Sequence, residues 1–394
     1  MDQVRIGIVG IGNMGSAHAN NIAAGKVEGL RLTAVCDISE DRLAWARETF
    51  PEVARFTDYK ELIASGLVDA VLVATPHKLH PVIAIEAMEA GLHVLSEKPA
   101  GVAASAVHRE NAVAAKSNVV FGIMYNQRTN PIFRKMREIV RSGQLGELKR
   151  SVWIVTNWYR TQAYYNSGSW RASWNGEGGG VLLNQCPHNL DIWQWIVGMP
   201  KTIRAFCSYG KYHDIDVEDD VTIYAEYEGG ATGVFITTTG EYPGTNRLEI
   251  SGDRGKLVAE NGKLTWWKLA EAERDVCRTS DKGFVQIPME EIEVPITEKE
   301  TAHLGILQNF TNAILKGEEL IAPGVEGINA LSIINASHLS DWTDDWVELP
   351  VDEELFDELL QEHCDEERME QRRAAQTGQE KLKGEYSERW SVRW

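Results

Sequence analysis

The sequence predicts an α/β protein in two parts: an N-terminal Rossmann domain with a doubly wound parallel sheet, and a C-terminal α+β domain on a large, mostly antiparallel open sheet. Short β-branched runs alternate with helix-like segments over the first 125 residues, which is the rhythm of a parallel sheet covered on both faces. A glycine-rich loop follows the first run. Longer alternating segments with Gly-Gly and Asn-Gly pairs begin near residue 126, as is typical of antiparallel strands.

The elements follow from these patterns. The first part predicts strands at 4–10, 30–36, 70–74, 93–95 and 119–122, and helices at 13–24, 81–90 and 103–116. The second predicts strands at 149–156, 203–207, 222–227, 232–238 and 247–251, and helices at 303–315 and 327–342. Since cores stop growing near about 250–300 residues, we expect a Rossmann domain over 1–125, a substrate domain over 126–350 and an acidic extension over 351–394, read as a solvated helix with a frayed end.

Composition limits the partners. The chain carries 58 acidic and 40 basic side chains, a formal charge of −18, which repels phosphate backbones and anionic membranes. No run approaches the roughly 20 apolar residues of a membrane helix, and no basic leader precedes the first strand. The five cysteines are scattered without a CxxC pair, which fits reduced thiols. We expect a cytoplasmic protein that binds neither nucleic acid nor membrane.

A dinucleotide loop is expected between the first strand and the first helix. Gly10, Gly12 and Gly15 form a GxGxxG that includes Asn13 and Met14. The first glycine permits the tight turn, the second lets the backbone approach a pyrophosphate, and the third lets the helix pack on the strand. The first helical turn then offers N–H groups and the positive end of its dipole to the phosphates.

Asp37 favours NAD over NADP. It ends the second strand about 20 residues after the glycine loop, where a carboxylate accepts hydrogen bonds from the adenosine ribose. The same charge repels a 2′-phosphate, and neither Ile38 nor Ser39 supplies a cation for one. Arg42, one helical turn on, can soften this preference. We expect NAD as the cofactor.

Two further motifs follow the glycine loop along the chain. Ser-Glu-Lys-Pro at 96–99 comes after a short strand in the fifth βα position, and Ala-Thr-Pro at 74–76 with His80 precedes it. A run from Gly-Gly-Gly to Pro-His occupies 178–188. Together the three motifs resemble the Gfo/Idh/MocA family, which includes glucose–fructose oxidoreductase and inositol dehydrogenases. The resemblance covers roughly residues 4–345.

The resemblance implies a catalytic group of Lys98 with residues of the third motif. The family's usual pattern there is an aspartate, three residues and a histidine. Asn184 occupies the aspartate position and His188 the histidine position, which removes the carboxylate. The cofactor contacts expected from the loop, the ribose carboxylate and the resemblance are Gly10, Gly12, Asn13, Met14, Gly15, Asp37, Thr75, Pro76, His80, Glu97 and Lys98.

Without the resemblance, residues from 181 onward predict a helix after the three glycines. Asn184 and His188 then share one face at i, i+4, and Asp191 is placed to hold the imidazole. Pro187 should bend or break this helix. A histidine in such a position is more often structural, and the order of the motifs is what favours catalysis.

Hydride transfer from a secondary alcohol to a nicotinamide leaves a proton, which a base with a pKa near the working pH must accept. We assign His188 as the acceptor, Lys98 as the cation that orients the hydroxyl and lowers its pKa, and Asn184 as a neutral orienter. Lys98 and His188 can exchange these roles, because a desolvated lysine titrates lower than in water.

An aromatic segment over 157–174 is expected to face the substrate. Aromatic rings stack on the C–H side of a sugar while amides and guanidinium groups meet its hydroxyls. The alternative is an oligomer interface, which also favours Tyr, Trp and Arg. The six aromatic residues are Trp158, Tyr159, Tyr164, Tyr165, Trp170 and Trp174. The expected substrate contacts are Tyr159, Arg160, Trp170, Asn184, Gln185 and His188.

The expected function is NAD-dependent hydride transfer to or from a secondary hydroxyl of a sugar, glycoside or inositol-type polyol. The expected assembly is a homo-oligomer, a dimer or tetramer through the C-terminal sheet. One alternative is a glycoside-cleaving enzyme that oxidises its substrate transiently and then returns the hydride. Another is a sugar- or NAD-sensing regulator of the same fold, against which Lys98 and His188 argue. A metal enzyme is disfavoured, since no cluster such as HExxH occurs.

Overall fold

The first sheet is parallel and six-stranded. The computed structural model describes residues 2–168 and 170–367. The strands are β1 (Val4–Val9), β2 (Leu30–Cys36), β3 (Ala54–Phe56), β4 (Ala70–Val73), β5 (His93–Ser96) and β6 (Phe121–Ile123). Their order is β3-β2-β1-β4-β5-β6. The strand order therefore changes direction between β1 and β4, and ligands of doubly wound sheets bind at the carboxyl ends of strands at such a point.

Helices cover both faces of this sheet. They are α1 (Asn13–Ala23), α2 (Glu40–Thr49), α3 (Tyr59–Ala64), α4 (His80–Glu89) and α5 (Ala104–Ala114), with a 3-10 turn at His77–Leu79. All four residues of β4 are buried, as expected of a strand covered on both sides. The fold class is confirmed. The sequence reading missed β3, whose three residues are only half-buried and form no apolar run.

The second sheet has nine strands and is mostly antiparallel, as expected. The strands are β7 (Leu148–Val155), β8 (Thr202–Tyr209), β9 (Glu218–Glu226), β10 (Thr232–Thr238), β11 (Asn246–Gly252), β12 (Gly255–Glu260), β13 (Lys263–Leu269), β14 (Met289–Glu293) and β15 (Val347–Glu348). Their order is β14-β13-β12-β11-β7-β10-β9-β8-β15. Only β7 and β10 pair in parallel among these described strands. Burial alternates along β9, so one face packs on helices and the other is partly exposed.

The remaining described helices follow the first sheet along the chain. They are α6 (Pro131–Arg141), α7 (Gln162–Tyr165), α8 (Val181–Asn184), α9 (Pro187–Val197), α10 (Glu273–Thr279), α11 (Ala302–Lys316), α12 (Gly327–Thr343) and α13 (Glu353–Glu366), with 3-10 turns at Asn126–Thr129, Glu228–Gly230 and Gly324–Glu326. The N–H of Ile123 donates to the carbonyl oxygen of Ala322 at 3.0 Å. The chain after α11 therefore borders the edge strand β6.

The acidic extension is a docked helix over the part that the structure describes. Phe356, Leu360 and Cys364 bury one face of α13. The hydroxyl of Ser105 on α5 donates to Asp357 at 2.8 Å. The expectation of a solvated helix is therefore corrected, because three apolar side chains at helical spacing give the helix a buried stripe. Residues 368–394 of this extension lie outside the described residues.

Three further facts concern the described residues alone. None of their helices is long and apolar enough to cross a membrane. No group of three or more His, Cys, Asp or Glu side chains among them is placed to hold a metal ion. Their five cysteines are free thiols.

Candidate active site

The glycine loop after β1 has room for a pyrophosphate. Gly10 has a φ of 87°, and a Cβ there would lie 2.6 Å from the carbonyl oxygen of Ala74. A Cβ on Gly15 would lie 1.9 Å from the carbonyl oxygen of Gly10, so the close packing of α1 requires glycine. Nothing lies within 4 Å of a Cβ built on Gly12, the N-cap of α1. The N–H groups of the first helical turn therefore face open space, which suits a phosphate.

The carboxylate of Asp37 is fixed beside this loop. One oxygen accepts the N–H of Ile11 and the other the N–H of Ser39, both at 2.9 Å. A carboxylate has about four acceptor sites, so Asp37 retains acceptor capacity for ribose hydroxyls. Together with the open glycine loop, this arrangement fits the adenosine and pyrophosphate of a dinucleotide.

A cavity of about 1000 Å³ extends from Asp37 to Lys98 and His188. It lies at the carboxyl ends of the strands of the first sheet, at the point between β1 and β4 where the strand order changes direction. The structure brings most predicted site residues to its wall: Gly10, Gly12, Asn13, Met14, Asp37, Thr75, Pro76, His80, Glu97, Lys98, Arg160, Trp170, Asn184, Gln185 and His188. Gly15 lies beneath the loop, and Tyr159 is not part of the lining.

Glu97 is a buried carboxylate at the end of β5. Its Oε1 lies 2.7 Å from Nε2 of His18, and its Oε2 accepts the backbone N–H of Lys98 at 3.1 Å. Burial alone would raise the pKa of Glu97, but the hydrogen bond and charge of His18, with the charges of His303 and Lys98, lower it to about 2. Glu97 is therefore an anion beside Lys98.

Lys98 places its ammonium between the two parts of the protein. Its Nζ donates to the backbone carbonyl oxygen of Asn184 at 2.8 Å. Burial lowers the pKa of Lys98 below its ordinary value, and the charges of Glu97 and Glu177 oppose that effect. An ammonium has three donors, so Lys98 also has donors for a substrate hydroxyl.

His188 stands in the first turn of α9, because the chain breaks where Pro187 was expected to break it. The helix α8 ends at Asn184 and α9 begins at Pro187, a position where proline's missing N–H leaves no hydrogen bond unmade. The buried imidazole lies edge-on to the ring of Tyr125, with centroids 6.3 Å apart. Burial, then the charge of Lys98, lowers the pKa of His188 well below its ordinary value. The imidazole is neutral at neutral pH.

Asp191 does not hold this imidazole, so that expectation is wrong. Its carboxylate accepts from Nη2 and Nε of Arg128 at 2.6 and 2.8 Å, and from Gln194 at 3.0 Å. Arg128 also contacts Glu326. A guanidinium fork satisfies a carboxylate at two points, and this buried pair joins α9 to the turn after β6.

The side chain of Asn184 faces away from the expected partner. Its amide nitrogen donates to Oε1 of Glu177, and the backbone carbonyl is what meets Lys98. Asn184 therefore orients the lysine through its main chain. The sequence predicted that its side chain and His188 share one face of a helix. The two residues lie in different helices, because the chain breaks after α8.

The aromatic segment divides between the cavity and the core. Trp158 and Trp170 line the cavity with Arg160 and Arg171. Trp170 lies edge-on to His77, with ring centroids 5.5 Å apart, and the guanidinium of Arg171 lies 4.7 Å from the centroid of Trp170. These side chains form an aromatic and cationic wall opposite the dinucleotide loop.

The other four aromatic residues of the segment do not line the cavity. Tyr159 is 45% exposed and contacts Tyr242, which is 82% exposed, so the structure does not bring Tyr159 to the cavity. The hydroxyl of Tyr164 accepts from Arg171 at 2.8 Å and Gln185 at 3.2 Å. The buried residues Tyr165 and Trp174 pack in the core.

The cavity residues that were not predicted include His77, Asn126, Gln127 and His303. Asn126 and Gln127 follow β6, so their place at the carboxyl end of a parallel strand was a usable signal. The amide oxygens of Asn126, Gln127 and Gln185 are buried without a hydrogen-bond partner among the described residues. Such acceptors cost free energy unless a ligand or a water molecule satisfies them. His303 lies in the first turn of α11, and nothing in the local sequence connects it to the other motifs.

The fold and the site define a class: an oxidoreductase whose Rossmann part binds NAD. A family model described as "Oxidoreductase family, NAD-binding Rossmann fold" matches residues 4–125, and one described as "GFO/IDH/MocA C-terminal domain" matches residues 133–258. The chain belongs to the Gfo/Idh/MocA family.

Its relatives include named dehydrogenases. Myo-inositol 2-dehydrogenase of Thermotoga maritima is 28% identical over 69% of this chain and 80% of its own length. Levoglucosan dehydrogenase of Pseudarthrobacter phenanthrenivorans is 25% identical over 89% of this chain and 99% of its own. Among solved structures, the WlbA dehydrogenase from Bordetella pertussis, in complex with NADH and UDP-GlcNAcA, is 26% identical with a TM-score of 0.76, covering 89% of this chain and 100% of that one.

Proposed function

We propose that the protein is an NAD-dependent dehydrogenase that oxidises a secondary hydroxyl of a sugar, glycoside or inositol-type polyol, or reduces the matching ketone. The observation that carries this is the pairing of a half-buried ammonium, Lys98, with a neutral imidazole, His188, at the end of the dinucleotide cavity. The named activities of the inositol and levoglucosan relatives support the same substrate class.

The cavity wall supports a ligand with several hydroxyl groups. The unpartnered amide oxygens of Asn126, Gln127 and Gln185 require donors, and hydroxyls are donors. The indoles of Trp158 and Trp170 offer apolar surface for the C–H side of a ring. A polyol satisfies both kinds of surface at once.

The residues of the chain handle the proton while bound NAD supplies the hydride acceptor. Lys98, held by the carbonyl of Asn184, donates to the substrate oxygen and stabilises the charge that develops there. His188 is in the base form and accepts the hydroxyl proton. Because its pKa is lowered, His188 stays available as a base below pH 6.5, its ordinary pKa.

A homo-oligomer formed through the second sheet completes the proposal. Val234 lies directly opposite Val152, and Ile236 opposite Ile154, in the parallel pair of strands β7 and β10. All four side chains lie on the partly exposed face, so they form an aliphatic patch suited to a second copy. We further propose that the enzyme works in the cytoplasm, which its free cysteines support.

A substrate screen tests the proposed function. Purified protein with NAD is offered sugars, glycosides and inositols, and NADH is followed by absorbance. NADH formed in proportion to a keto product supports the dehydrogenase. Cleavage of a glycoside without accumulated NADH would point to the net non-redox alternative, and binding without any turnover would point to the sensor.

A further inference from the structure

Lys98 is half-buried, and the partial removal of its ammonium from water lowers its pKa, so the charged form depends on nearby negative charge, and Asn184 brings none. Desolvation disfavours the charged form of a lysine unless an opposite charge lies nearby. The carboxylates that favour its charged form are Glu97 and Glu177. Glu97 is already bound to His18 and to the backbone of Lys98. This leaves Glu177, whose carboxylate contacts the residue that holds the lysine.

Glu177 is fixed from several sides. It is 1% exposed. Its Oε2 accepts the N–H of Ala172 at 2.7 Å, and its Oε1 accepts from the amide of Asn184. Nη1 of Arg171 lies 3.9 Å from Oε1, and the backbone carbonyl of Glu177 accepts Nδ1–H of His77 at 3.1 Å. The carboxylate therefore has one orientation relative to Asn184.

The short helix α8 is held at both ends by carboxylates. At its start, Glu218 accepts the N–H groups of Gly180 and Leu182 at 2.8 and 3.0 Å. At its end, Glu177 holds the side chain of Asn184. The carbonyl of Asn184 is thereby kept where Nζ of Lys98 meets it.

We propose that Glu177 is a positioning residue of the dehydrogenase: it holds Asn184 against Lys98 and supplies the negative charge that keeps the lysine protonated. The proposal rests on the proposed function for the role of Lys98. It explains how this chain keeps an asparagine where the family pattern has a carboxylate. The negative charge is carried by Glu177, which is hydrogen-bonded to the side chain of that asparagine.

The charge of Glu177 changes with pH in a useful range. Burial raises the pKa of Glu177 to about 7, although Arg171, the hydrogen bonds from Ala172 and Asn184, and Lys98 oppose the rise. The ionisable groups that face it are Arg171 on its own loop, Lys98 after β5, and His77 before α4. When Glu177 takes up a proton, Lys98 loses a counter-charge and its pKa falls further.

The test is Glu177→Gln, which keeps the shape of the side chain but removes the charge; its one amide oxygen can accept from Asn184 or from Ala172, but not from both. Whichever limb of the pH–rate profile Lys98 controls should move to lower pH by roughly one unit, with kcat reduced and KM little changed. The matched variant is Glu177→Gln combined with Asn184→Asp. It exchanges donor and acceptor, restores the charge and should return the limb toward its wild-type position.

A second measurement does not need turnover. The titration of Lys98 is followed by NMR in protein carrying isotopically labelled lysine, with Lys98→Gln to identify its signal. The pKa of Lys98 should fall in Glu177→Gln and recover in the double variant. An unchanged lysine titration in folded Glu177→Gln would overturn the proposal. Wild-type protein that oxidises no polyol would instead overturn the proposed function, and the NMR result would still decide the link between Glu177 and Lys98.

Discussion

Nζ of Lys98 lies 2.8 Å from the backbone carbonyl oxygen of Asn184, a contact that joins the first sheet's carboxyl edge to the segment before α9. The carbonyl is available because α8 ends at Asn184, and the last carbonyls of a helix have no partner within it. The break before Pro187 therefore frees the carbonyl that binds Lys98 and also places His188 in the first turn of α9.

Replacing either proposed proton-handling group should abolish most of the activity. Lys98→Ala and His188→Ala should each lower kcat by on the order of 10²-fold or more, since both act on the proton in the transition state. NADH binding, measured by fluorescence, should survive in both. Near-normal kcat in His188→Ala would show that the proton leaves by another route, and Lys98 would then be the base.

Asp37→Ala should narrow or reverse the preference for NAD. The change removes hydrogen bonds to the ribose and the repulsion of a 2′-phosphate together, so the ratio of affinities should fall about 10- to 100-fold. Dissociation constants for NADH and NADPH measure this ratio. The carboxylate also ties Ile11 to Ser39, so a melting curve should accompany the binding data. Tighter binding of NADPH by the wild type would contradict the assignment.

Trp170→Ala should raise KM for the substrate about tenfold while NADH affinity is kept, because the indole lines the cavity and aromatic faces pack on sugar rings. Tyr159→Ala is the matched control and should leave KM unchanged, since this ring faces solvent with Tyr242. Sedimentation of Tyr159→Ala tests the alternative hypothesis that the aromatic segment forms an oligomer interface. Dissociation of that variant would assign its exposed end to an oligomer interface.

Glu110 should reduce stability at neutral and alkaline pH. Its buried carboxylate on α5 has no hydrogen-bond partner among the described residues, and burial raises its pKa from 4.5 to about 8. Between these values the unfolded chain releases a proton that the folded chain keeps, so stability falls as pH rises. Glu110→Gln should therefore add roughly 2–4 kcal/mol at pH 8 and nothing at pH 4. Urea unfolding at both pH values checks this, with exposed Glu89→Gln as the control.

Much of the fold could be predicted because its signals are local. The strand β2 follows from the largely apolar run at 30–36, and the start of α1 follows from the GxGxxG loop. Asp191 shows the limit, because helical spacing gives the face a residue occupies but not its partner. That partner, Arg128, lies 63 residues earlier. Glu177 also escaped prediction, since its meaning depends on contacts with Asn184 and Lys98 that only the folded chain creates.

The docking of α13 affects the order in which the two sides of the cavity are completed during synthesis. Glu367, just after that helix, accepts the N–H groups of Trp174 and Asn175 at 2.7 and 3.1 Å, within the segment that carries the aromatic wall. Domains fold from the N-terminus as the ribosome releases them. A nascent chain can thus complete its dinucleotide loop early, but the wall opposite it is anchored only once residue 367 has emerged.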